Sequence, residues 1–149
     1  MLTYQDFERL PDTDEARAEF VQKLIGEHQG GEEMQVALDA DAYFAQRNVT
    51  INRYAKKIFT LTGQSVKDFT AADNKIASNF FHTFNVRRCA YSLGNGVEFG
   101  ADGTKEKLGL KFDTELKNAA LYALIHGRSY LFWNADHVHV FKTTEFVPL

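Results

Sequence analysis

His137 and His139 carry the spacing that most directly suggests chemistry. They alternate with Val138 and Val140. On a strand this period of two sends both imidazoles to one face, about 7 Å apart along the chain. Such a pair could hold a transition metal if a third ligand joined it. No motif marks that ligand nearby, and two ligands of this kind do not make a zinc site. The preferred reading is a polar outer face over an apolar inner one, as in ordinary antiparallel strands. Cys89 could serve as a nucleophile beside His82 or His126. It lies on an apolar stripe with no supporting motif, where a free cysteine behaves as a small buried hydrophobe. Gly94-Asn95-Gly96 and Gly100-Ala101-Asp102-Gly103 raise the question of a phosphate cradle. Those glycines follow a helix C-terminus, whose dipole has the wrong sign for an anion, and no GK[ST] is present. Arg53, Lys56-Lys57 and Arg87-Arg88 are small basic pairs that could touch a nucleic-acid backbone. In an acidic chain they read as solvated faces or subunit ion pairs. The residues therefore nominate no catalytic, cofactor-binding or metal-binding set, and the chain is read as a non-enzyme without a cofactor.

The elements that position these residues follow from periodicity. Residues 1–11 read as a short arm. Asp12 and Glu15 have capping-box spacing and open a helix to about Glu27, with Ala16, Phe20 and Leu24 on its inner face. His28-Gln29-Gly30-Gly31 breaks it. A second helix spans about 32–47, with a weak stripe of Met34, Leu38, Ala42 and Ala45. A connector over 48–51 precedes a helical turn or two over 54–61, ended by Thr62-Gly63. Asp73 or Thr70 then caps the longest helix. Ile76, Phe80 and Phe84 form its buried stripe, with Ala77 and Phe81 alongside. The stripe slips phase at Arg87 and Arg88 and resumes at Val86, Cys89, Ala90 and Leu93, which a kink or a change of packing partner near Asn85 would explain. Gly94 is expected in a left-handed stop. Residues 97–99 read as a strand, 100–103 as a turn and 105–107 as a solvated tip. A last helix starts at Asp113 or Thr114 and is apolar on more than one side: Phe112, Leu116, Ala120, Ala123 and Leu124, then Leu121, Tyr122 and Ile125. Gly127 stops it. Residues 129–133 and 137–141 pair as a hairpin about Asn134-Ala135-Asp136. The fold class is α+β: a helix-rich first half, a long helix, a short antiparallel hairpin and a packed C-terminal helix.

Composition narrows the function classes. The 149 residues are enough for one domain with a core. The 13 Phe and 6 Tyr must be buried in a core or at an interface. A net charge of −3 gives no global field toward nucleic acid or anionic membrane. The lone Cys89 excludes an internal disulfide and suits a reducing compartment. No apolar run is long enough to span a membrane. The N-terminal residues are acidic and lack the apolar core of a signal peptide.

Residues 74–149 carry a series of short words in a recognisable order: Asn74, Lys75, Ile76 and Asn79; Tyr91, Leu93, Gly94, Asn95, Val97 and Phe99; Gly127, Arg128, Ser129 and Tyr130; Asn134 and Asp136; Glu145, Phe146 and Pro148. This series resembles the N-terminal part of tailed-bacteriophage portal proteins, the head-to-tail connectors of long-tailed phages of Gram-positive bacteria. That family pattern has an N-K-I-x-x-N helix start, a Y-x-x-G-x-P-[VI]-x-F stretch and a helix ending in G-[KR]-[AS]-Y. A hairpin and P-x-E-x-x-P follow. Here the proline after the second glycine of the pattern is missing, the loop over 100–111 is short, and a threonine replaces the first proline of the last word. Residues 1–73 are expected to be helical and add little to the resemblance.

The resemblance implies a structural virion protein. Such a subunit joins other portal subunits in a ring at the vertex for DNA packaging and ejection. Capsid, terminase and head-completion proteins are its partners, and DNA passes through the complete ring. Its setting is the virion, and the host cytoplasm during assembly, with no membrane. An acidic balance suits a conduit that must not grip a polyanion. Portal subunits are several times longer, so residues 1–149 correspond to a wing-like N-terminal portion, read either as a single domain or as a fragment. Two other classes remain: a self-contained phage or prophage-derived protein-binding module, and a metal-dependent enzyme using His137 and His139.

Overall fold

The computed structural model describes residues 2–101 and 103–148. Seven helices and two separate two-stranded antiparallel sheets are present among them, an α+β fold. The first half holds α1 (Tyr4–Glu8), α2 (Asp14–Gln29), α3 (Glu32–Phe44) and α4 (Val49–Arg53), then the strands β1 (Lys57–Phe59) and β2 (Ser65–Lys67). The second half holds α5 (Phe80–Leu93), α6 (Thr104–Leu108), α7 (Phe112–His126), β3 (Ser129–Asn134) and β4 (His137–Lys142).

Local chemistry explains several boundaries. The expected arm contains a helical turn, because the Asp6 carboxylate accepts from the Thr3 N–H at 2.9 Å, the reach-back half of a capping box. Thr13 rather than Asp12 caps α2, with its hydroxyl accepting from Ala16 N–H at 3.4 Å. Asp12 pairs with Arg17 instead. Phe20 and Leu24 are buried as expected, and Ala16 is half-buried. On α3 the buried residue is Ala37, not the Leu38 of the expected stripe, and the helix ends at Phe44 instead of 47. The expected connector over 48–51 is the start of α4, capped by Asn48 onto Ile51 N–H at 2.9 Å.

Two larger corrections follow. The helical turns expected over 54–61 are the first strand of a hairpin, with Lys57↔Lys67, Ile58↔Val66 and Phe59↔Ser65 in register. The long helix expected from residue 73 begins only at Phe80. The Asp68 carboxylate accepts from the Thr70 and Ala71 N–H groups at 2.8 and 3.2 Å, a local alternative to helical bonding. Gln46 then donates to the Ala77 carbonyl at 3.4 Å, tying the following segment to the end of α3. At 16 residues α2 is the longest helix, ahead of α5 at 14.

The polarity of α5 is the reverse of expectation. Ile76 is 85% exposed, and Phe80 and Phe84 are each 64% exposed. Their rings stack on the solvent face at 5.9 Å. Cys89 lies on the opposite, buried face, and α5 runs as one helix from Phe80 to Leu93, so of the two explanations for the phase slip near Asn85 no break of the helix is seen. Residues 97–99 form no strand, and the tip at 105–107 is helical, though exposed. The turn expected over 100–103 includes Asp102, which lies outside the described residues.

α7 is the centre of the molecule. It packs against α3, α5, β3 and β4, as its many-sided apolar surface predicts. Ala119 and Ile125 are buried, and Val138 of β4 is buried with them. Gly127 ends α7 at φ +82°, a left-handed stop that costs glycine nothing. β3 and β4 pair from Ser129↔Lys142 to Asn134↔His137, leaving Ala135-Asp136 as a two-residue turn.

Candidate functional site

The β3–β4 turn places the imidazoles. Val138 points into the core and His139 is exposed, so the alternation reads as expected. The two rings lean together: their centroids are 4.4 Å apart and the Nε2 atoms 2.8 Å. Side chains leaning along the strand bring them closer than the backbone rise suggests. The Asp136 carboxylate accepts from His137 Nδ1. That bond, with the electrostatic interaction with His137 beside it, holds Asp136 below the usual aspartate range. A cavity of about 270 Å³ adjoins the trio, lined also by Phe112 and Glu115 of α7. The pair supplies two nitrogens on one face. No group of three or more His, Cys, Asp or Glu side chains that could hold a metal forms among the described residues.

The structure separates the other candidates. The Cys89 thiol donates to the Lys117 carbonyl at 3.3 Å and is buried. His82 packs on Phe44 with ring centroids 4.5 Å apart. The His126 side chain is buried, and its Nε2 lies 2.9 Å from Asp41 Oδ1. His126 Nε2–H donates to the Asp41 carboxylate, and Nδ1 is buried without a hydrogen-bond partner. This α3–α7 tie had no sequence signal, because Asp41 and His126 stand 85 residues apart.

The glycine loop after α5 is engaged by protein. Gly94 is right-handed and Gly96 takes the left-handed role, at φ +78°. Asp113 in the first turn of α7 accepts from Val97 N–H at 3.3 Å and from Lys105 Nζ at 2.7 Å. The Lys105 bond is the main reason the Asp113 carboxyl titrates below its ordinary range. A Cβ at Gly96 would sit 2.6 Å from Asp113 Oδ2. An aspartate of this chain thus occupies the Val97 amide of the glycine loop.

The basic pairs fall on exposed surface. Arg53 lies 3.9 Å from Asp39, while Lys56 and Lys57 are exposed at the start of the β1–β2 hairpin. Arg87 and Arg88 share the outer face of α5 with Phe80, Phe84 and Tyr91, the set that a 3.6-residue period groups together. Sequence reasoning missed the hairpin. The available signal was weak: the β-prone pair Ile58-Phe59 and the alternating Ser65-Val66-Lys67 flank a turn that contains Gly63.

The words of the 127–148 series have architectural roles. Arg128 pairs with Glu33 of α3. The Ser129 hydroxyl donates to the Ala119 carbonyl at 2.8 Å. Tyr130 packs on Phe146 at 4.4 Å, and the Glu145 carboxylate accepts from Lys142 N–H at 3.2 Å. The chain matches no protein-family model, no curated protein and no solved structure.

What remains is a large uncovered surface. The chain exposes 11310 Å², against about 7,700 Å² for a folded monomer of 16.9 kDa. Aromatic and aliphatic side chains make up much of the outside: Tyr54, Phe59, Leu61, Phe69, Ile76 and Tyr91 are all exposed.

Proposed function

We propose that this chain is a structural, assembling subunit, and specifically a portal-like virion component corresponding to the N-terminal wing-like portion of a ring-forming connector. The observation that carries the assembling part is the surface excess of roughly 3,600 Å². A standard protein–protein interface removes about 800 Å² from each partner, so several contacts would be needed to cover it. Within that excess, large apolar side chains such as Tyr54, Phe59, Leu61 and Phe69 lie exposed, and exposed apolar side chains gathered in patches mark interaction sites. The ordered words from Asn74 to Pro148 supply the portal part. Their last members have architectural roles here, as a structural part requires. A self-contained binding module, expected as a monomer without an exposed apolar patch, fits this surface less well.

The test is to read the gene beyond the codon for Leu149, express the complete reading frame and image the product by negative-stain electron microscopy. Closed rings of many copies with a central channel are the expected result. A product that stays monomeric or dimeric would overturn the portal reading.

A further inference from the structure

The β1–β2 hairpin stands out from the rest of the fold. Its strands pair with each other and make no extended contact with another helix or strand. All six strand residues are exposed. A lone two-stranded ribbon is marginally stable in water, yet this one presents Phe59 at 78% exposure and a fully exposed Leu61 beside its turn. It is also cationic. Lys56, Lys57 and Lys67 lie within 56–67, where no acidic residue occurs before Asp68.

The charge of the chain is divided in the same sense. Residues 1–48 hold eleven acidic and four basic side chains, and residues 49–149 hold nine acidic and thirteen basic. In the acidic part, α2 and α3 meet the C-terminal segment around a groove of about 440 Å³. Leu24, Val147 and Pro148 give it apolar lining, and Glu27, Glu32 and Glu33 give it carboxylates. Arg128 pairs with Glu33, and the Glu27 carboxylate accepts from the Leu2 N–H at 3.2 Å. No residue of the hairpin lines this groove within one chain.

We infer that the β1–β2 hairpin is a docking arm whose apolar tip seats in the acid-lined α2–α3 groove of a second copy of this chain. The inference rests on the assembling-subunit reading and names the contact. Two surfaces of opposite charge, each with an apolar centre, make a heterologous head-to-tail interface. Such an interface propagates around a ring or along a filament. Phe59 and Leu61 supply the apolar anchor. Lys56, Lys57 and Lys67 face the groove edge at Glu32, which sets orientation and makes the contact salt-dependent.

Sedimentation equilibrium of the 149-residue chain tests this at high micromolar concentration. Self-association is expected, weaker at about 0.5 M than at about 0.05 M salt because screening shortens several-fold. Leu61→Asp should abolish it. Lys57→Glu and Glu32→Lys should each weaken it at least about tenfold. Mixing those two variants should restore heterodimers, because the intact arm of one meets the intact groove of the other. Contact of the arm with its own copy would not recover in that way. These positions are exposed, so circular dichroism and the Tm should stay close to wild type. A monomeric wild type, association unchanged by Leu61→Asp, or a mixture that stays monomeric would each overturn the inference. So would an arm that binds a labelled single-stranded oligonucleotide without self-association. Rings of the complete reading frame that survive Leu61→Asp would retire the arm and leave the portal reading standing.

Discussion

Replacing Phe84 with alanine should cost only about 1 kcal/mol, and this figure separates the observed α5 from the one its sequence suggests. A buried core phenylalanine loses about 3–5 kcal/mol on truncation. Phe84 is 64% exposed and stacks on Phe80 with an interplanar angle of 18°. Full burial of such a ring contributes about 1.5–3 kcal/mol, so a third of it gives about 0.5–1 kcal/mol. The stacked pair adds roughly 0.5–1.5 kcal/mol. The better helix propensity of alanine offsets up to about 0.7 kcal/mol of that total. The comparison is Ile125→Ala, at a residue 7% exposed in the body of the fold, which should lose about 2–5 kcal/mol. Urea unfolding followed by circular dichroism reads both, at a concentration where sedimentation shows monomer. The midpoints should fall with unchanged slopes. A Phe84→Ala loss equal to that of Ile125→Ala would mean that this face of α5 is buried, and the exposed aromatic face would have to be abandoned. A double-mutant cycle with Phe80→Ala isolates the stacking share.

Further outcomes follow from single contacts. Asp41→Ala leaves the His126 Nε2–H buried without an acceptor and should cost about 1–3 kcal/mol, whereas Asp41→Asn keeps an acceptor and should cost less; thermal melts of the two variants decide it. Ala135 sits at φ +54° in the β3–β4 turn, so Ala135→Gly should gain about 0.5–1 kcal/mol, and a lower Tm would refute the strain. Gly96→Ala combines φ +78° with a Cβ 2.6 Å from Asp113 Oδ2 and should destabilise more than Gly127→Ala, at φ +82° with open space around it. Asp68, Asp113 and Asp136 are all held below the ordinary aspartate range by hydrogen bonds, from Thr70, Lys105 and His137 respectively. The unfolded chain therefore takes up protons first as pH drops. Their contribution is present above an unfolded aspartate pKa of about 3.9 and fades as pH falls through the lower folded values. Urea midpoints between about pH 2 and 5 should show that decline, and Asp113→Asn should flatten it.

Sequence by itself determined the elements that local chemistry can complete. α7 is apolar on most sides and can only be a central helix, and glycine at 127 must end it. Val138 alternating with His137 and His139 can only make a strand with one inner face. Phe20 and Leu24 mark the inner face of α2 at helical spacing. Within the first half, the β1–β2 hairpin was not determined in this way: its short runs about Gly63 read equally as helical turns. Tertiary structure alone decided the rest. Helical spacing places Phe80 and Phe84 on one face, but whether that face meets core or solvent depends on which side of α5 reaches α7. Cys89 and its bond to the Lys117 carbonyl took that side, so the aromatics face out. The start of α5 moved from residue 73 to Phe80 because Asp68 and Gln46 offered the preceding backbone other partners. His126 found Asp41 across 85 residues, and His137 and His139 closed to hydrogen-bond distance through side-chain lean. Periodicity reports which residues share a face. What that face touches is set by contacts between segments far apart in the chain, and a single sequence does not record their distances.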